Sequence, residues 1–146
     1  MSALLYVRVY QAIMEPEPAR KCNLTQQLFE DWNAQLLVRQ GDAEIQQIDV
    51  PGRPPVPDLV NARLVPKRSL ATEQGRQVLL HSFAHIEFNA INLALDAAYR
   101  FRQMPDAYVT DWLQVAAEEA RHFSLIEQYL RELGSSYGAF DAHNGL

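Results

Sequence analysis

The chain has one cysteine, Cys22, which excludes an internal disulfide and points to a reducing compartment. Positive charge is also scarce: 13 Lys and Arg against 18 Asp and Glu leave a formal net charge of −5 over 146 residues. Lys67, Arg68, Arg100 and Arg102 are too scattered to form a basic stripe, so the electrostatic footprint of a nucleic-acid binder is missing. Long hydrophobic runs are missing as well. The most apolar stretch, residues 78–101, is broken by two His, a Glu, an Asp and an Arg and falls short of the roughly 20 apolar residues of a membrane span. The opening MSALLYVRVYQAIMEPEPARK lacks the basic region, unbroken apolar run and small-residue cleavage site of a secretory signal. From these absences we expect a cytoplasmic protein with neither nucleic-acid nor membrane partners. At 48% hydrophobic, it is long enough to bury one core.

Proline is unevenly spread, and that divides the chain. Pro51, Pro54, Pro55, Pro57 and Pro66, set among Gly41 and Gly52, forbid helix over residues 41–70 and predict an extended arm. We expect this arm to lie as a strap over the domain, with a short strand near 44–50. Residues 1–40 read as a helical extension: a short helix over 2–14, stopped by Glu15-Pro16-Glu17-Pro18, then an amphipathic helix to about residue 38 capped by Asn23 or Thr25. Residues 71–134 predict two long helices, and residues 135–146 a C-terminal loop.

The first long helix is expected from Glu73 to about Arg102, with Thr72 as N-cap. His81, His85, Asn89, Asn92 and Asp96 recur on it at helical steps as a polar stripe, which predicts a solvent-exposed, interface or supporting role for the two histidines. Leu80, Ala84, Glu87, Ile91, Ala94 and Ala98 form a second stripe, apolar except for Glu87. Gln103-Met104-Pro105-Asp106 is a tight connection in which Asp106 can cap the next helix, and Gly134 ends that helix. Tyr108, Trp112, Val115, Ile126, Tyr129 and Leu133 are expected to face the core there, and the same count puts Glu119 and His122 in the middle of their stripe. Glu118 falls on an outward face, where an i, i+3 ion pair with Arg121 is expected.

A short connection makes the two helices antiparallel neighbours. Counted back and forward from the turn, Glu87 then stands level with the gap between Glu119 and His122. Burying unpaired carboxylates is costly, and Glu-x-x-His at i, i+3 aims two donors at one point, so a divalent metal is the partner that fits. A buried structural hydrogen-bonded pair is the plainer alternative. Glu followed by Glu-x-x-His on the next helix is half of the ligand set of ferritin-like di-iron and di-manganese carboxylate proteins.

The residues Ala84-His85-Ile86-Glu87, Ala90-Ile91, Leu93-Ala94-Leu95-Asp96 and Ala116-Ala117-Glu118-Glu119-Ala120-Arg121-His122-Phe123 resemble a bacterial ferritin-like family catalogued as a domain of unknown function. The likeness is dense over residues 65–146. It implies an all-α, ferritin-like helical bundle, here about half of a four-helix bundle, with iron at Glu87, Glu119 and His122. Ligand logic of the same kind in the related tRNA isopentenyl-adenosine hydroxylase implies an O2-dependent oxidoreductase served by an unidentified electron donor. Glu87 and His122 are then terminal ligands and Glu119 bridges, with manganese equally suited to this donor set. Iron storage without an organic substrate, and a metal-free helical scaffold, are the alternatives. Proteins similar to this one continue with a second Glu and Glu-x-x-His, so either a homodimer or a missing C-terminal half is expected to complete the bundle.

Overall fold

The computed structural model describes residues 1–65 and 69–145. Pro66, Lys67 and Arg68 of the expected arm, and Leu146 of the expected C-terminal loop, lie outside the described residues. The architecture is an all-α helical bundle. Helices α1 (Leu5–Met14) and α2 (Pro18–Asn33) form a pair that packs on one side of a long hairpin made by α3 (Glu73–Arg100) and α4 (Asp106–Glu132). Leu5, Val9 and Leu28 from the short pair meet Ile91, Leu95, Leu113, Phe123 and Leu130 from the hairpin in one core. Each such side chain taken out of water contributes about 1.5–3 kcal/mol.

Local chemistry sets the boundaries. Pro18 opens α2 because its fixed φ suits a first turn. The cap is Glu17, whose carboxylate accepts from Ala19 N at 3.1 Å and Arg20 N at 2.7 Å. Asn23 and Thr25, expected as caps, lie inside the helix, where Thr25 Oγ1 donates back to the Lys21 carbonyl. The helix stops at Asn33, short of residue 38, as Gln35 turns to φ 59°. Val38 instead pairs with the N-terminal segment, accepting from Leu5 N at 2.9 Å.

Thr72 caps α3 by accepting from Gly75 N at 3.0 Å. At α4 the cap position belongs to Pro105, and Asp106, expected there, is the first helical residue, ion-paired to Arg39 at 2.8 Å. The Arg39 guanidinium also donates to Tyr6 Oη and to the carbonyls of Arg102 and Met104, clamping the turn between the long helices. Gly134 ends α4 at φ 81°, the left-handed conformation that glycine adopts without strain.

No strand forms over 44–50. That backbone is engaged by side chains instead: Gln46 N donates to Tyr99 Oη, and the Ala43 carbonyl accepts from Arg102 Nη1. The strand pairing lies further on, where β1 (Leu59–Val60) runs parallel to β2 (Ala142–His143), so the C-terminal segment expected as loop contains a strand. A short 3-10 turn, Ala62–Leu64, follows β1. Gly52 presses the arm against the end of α1: its N–H donates to Ile13 O, and a Cβ there would run into the Met14 carbonyl.

Two sequence expectations about faces are corrected. The buried line of α4 is Val109, Leu113, Ala116, Ala120, Phe123 and Leu130. The Tyr108 to Leu133 stripe lies beside it, half-exposed, with Tyr129 55% exposed. Apolar residues cover so wide an arc of α4 that periodicity alone does not choose between the two stripes. The polar stripe of α3, for its part, is largely covered. His81 and His85 are 1% and 4% exposed because the arm and the C-terminal segment fold over them. The expectation that residues 78–101 fall short of a membrane span is also corrected: by length and composition α3 is apolar enough to cross one, and half of its most apolar window is buried in this fold.

Candidate metal centre

Glu87 stands near the middle of α3, and Glu119 and His122 stand one turn apart near the middle of α4. The Arg39 clamp at the turn and the bond from Gln77 Nε2 to the Leu133 carbonyl at the far end hold the helices in register. His122 Nδ1 lies 3.6 Å from Glu119 Oε2 and 3.8 Å from Glu87 Oε2. One donor atom from each of the three comes within 4.8 Å of the others, and all three side chains are half-buried. Glu87 Oε2 is itself buried without a hydrogen-bond partner.

These separations are too long for hydrogen bonds and suit donors around a shared ion. A divalent metal roughly 2.0–2.2 Å from each oxygen or nitrogen leaves its donors about 3–4.4 Å apart. An orphaned carboxylate oxygen beside a second carboxylate is costly by itself, and a cation removes both the desolvation cost and the repulsion. Glu118 points away and accepts from Gln114 Nε2 at 3.2 Å, where an Arg121 pair was expected.

The histidines of the polar stripe do different work. His85 donates from Nε2 to the His143 carbonyl at 2.8 Å, and its Nδ1 accepts from the Tyr137 hydroxyl at 2.9 Å. His81 Nε2 accepts from Gly138 N at 3.0 Å, and its ring stacks on Tyr137. Burial pushes the His81 imidazole down to about 4 and lowers that of His85, so both are held neutral. They are anchors for the C-terminal segment. The sequence signal was there in the i, i+4 spacing of two histidines facing an aromatic-rich tail, Tyr137, Phe140 and His143.

Sequence reading also passed over Lys21. Its fully buried ammonium donates to the Ile13 carbonyl at 2.7 Å and to Asn92 Oδ1, and sits over the Phe88 ring. Desolvation lowers it to about 7. The adjacent Cys22 thiol is buried too, and burial pushes it up to about 11, so it is an inert core group rather than a nucleophile.

An uncharacterised protein of Haemophilus influenzae is 43% identical over 159 aligned residues, an alignment that takes in 100% of this chain and 55% of that protein. The chain thus spans about half the length of the curated relative it matches. No solved structure matches it. The profile of the family described as protein of unknown function DUF455 matches residues 14–146, and the chain belongs to that family.

Proposed function

We propose that Glu87, Glu119 and His122 bind iron as one half of a ferritin-like two-metal carboxylate centre, and that the protein is an O2-dependent oxidoreductase. The observation that carries this reading is the buried, unpartnered Glu87 Oε2 facing His122 Nδ1 across two helices. Carboxylate and imidazole suit Fe2+, with Mn2+ accepted by the same donors. Glu87 and His122 would hold the metal terminally and Glu119 would bridge. When bound, a pair of ferrous ions supplies two electrons to O2 at one place.

The chain's own residues do the rest. Ala84, Phe88 and Ile91 on α3, with Ala116, Ala120 and Phe123 on α4, back the donors with a dry wall. His122, 43% exposed in its side chain, leaves the outward side of the cluster open to further ligands.

The test is metal content after anaerobic loading with Fe2+. Glu119→Ala and His122→Ala lose the iron, while Glu118→Ala keeps it. Equal retention in all three would end the reading. Iron bound with O2 uptake but no oxidised organic product would leave storage as the function.

A further inference from the structure

We propose that the outward face of the α3–α4 hairpin, opposite α1 and α2, is the docking surface for a second copy of this chain, placed by a two-fold axis through the metal cluster. The surface stands on its own observations. Its role in completing the site rests on the metal reading above.

On α3, Leu79, Phe83, Ile86, Ala90 and Leu93 recur at steps of 4, 3, 4 and 3, and the four large ones are 38–61% exposed. On α4, Trp112, Val115, Glu119, His122, Ile126 and Tyr129 recur at steps of 3, 4, 3, 4 and 3, all half-buried or exposed. These are the seams of a helix bundle, and a helix that packs on one side only needs one such seam. The inner face of the hairpin already buries Leu95, Leu113 and Phe123, so the outer seams are a second apolar surface without a cover among the described residues. Contiguous exposed apolar surface of this kind marks an interface.

Three features fit a second copy as the cover. The first is position. Glu87 is the fifteenth of 28 residues in α3 and Glu119 the fourteenth of 27 in α4. A two-fold axis through the cluster therefore overlays both hairpins along their full lengths, and the same patch of each copy makes the contact, as in any isologous interface. The second is area. Two helices about 42 Å long, side by side over roughly 20 Å, offer about 800 Å2 per partner, the size of a standard stable interface. The third is charge. One copy brings two carboxylates and one imidazole to the centre of the face, too few ligands for a closed site. Two copies bring four carboxylates and two imidazoles, and four negative charges balance two divalent cations.

The experiment is light scattering coupled to size exclusion, on the chain at about 100 µM with and without Mn2+, together with metal content per peak. The expected result is a mass of twice 16.6 kDa carrying two Mn2+ per dimer. Leu93→Glu, on the exposed seam and outside the cluster, is expected to stay helical by circular dichroism, run as a monomer and bind Mn2+ at least tenfold more weakly. A wild-type monomer in Mn2+, or a dimer that survives Leu93→Glu, overturns the proposal. If that wild-type monomer still binds the metal, the metal reading survives, and the cover belongs to the part of longer relatives beyond this match. A dimer that Leu93→Glu splits but that binds no metal keeps the interface and removes the metal reading.

Discussion

Glu87 Oε2 on α3 stands 3.8 Å from His122 Nδ1 on α4, buried and without a hydrogen-bond donor of its own. A carboxylate placed so badly for stability and so well for coordination implies a trade between the two. Glu87→Leu should therefore stabilise the metal-free protein by about 1 kcal/mol, a rise of roughly 2–4 °C in Tm for a domain of this size, while abolishing metal-induced stabilisation. Thermal melts in chelator and in Fe2+ or Mn2+ check both halves, and a variant less stable than wild type in chelator would contradict the first.

Acid should loosen the C-terminal anchor. The His81 imidazole, lowered by burial to about 4 from an ordinary 6.5, binds fewer protons folded than unfolded between those values. Its contribution is whole above pH 6.5 and is lost as pH falls towards 4, by roughly 1.4 kcal/mol per unit. Denaturant midpoints across that window should fall, and His81→Gln, which keeps an acceptor for Gly138 N, should flatten the slope.

Lys21 predicts the opposite end of the scale. Its amine is lowered to about 7 from 10.5 by desolvation, so the folded state favours the neutral form. Stability should rise as pH climbs from 7 towards 10.5, before other groups intervene. Lys21→Met, similar in length and free of charge, should lose that rise between pH 7 and 8.5, below the range in which the Cys22 thiol titrates. Equal slopes in the two proteins would show that the amine is solvated where it lies.

Gly52→Ala should unseat the arm. The added Cβ meets the Met14 carbonyl at the end of α1, and overpacking of this kind costs about 1–3 kcal/mol. Limited proteolysis within residues 41–57 should quicken while α3 and α4 stay protected.

Much of the hairpin was legible in the sequence. The Thr72 cap and the Gly134 stop follow from residue chemistry, and the approach of Glu87 to Glu119 and His122 follows from counting at 100° and 1.5 Å per residue. What counting could not reach was which neighbour covers which face. His81, His85 and Asn92 read as a wet stripe because their polarity is satisfied by residues 50 or more positions away in the chain or, for Asn92, by Lys21. Both seams of α4 carry large apolar residues, so the packing of α1 and α2 decides that Leu113 and Phe123 are buried while Tyr129 is exposed. The β1–β2 pairing had no local signal at all, being two residues on each side and 83 positions apart.

That pairing changes how the hairpin behaves as a mechanical object. The turn closed by Arg39 fixes one end of two long rods, and Leu59–Val60 against Ala142–His143 joins the segments that lead into and out of them. Rods tied at both ends cannot hinge open from either one, and their last turns can loosen without parting the packed middle. Glu87, Glu119 and His122 sit at mid-span, so thermal fraying of the ends leaves the distances among them nearly unchanged.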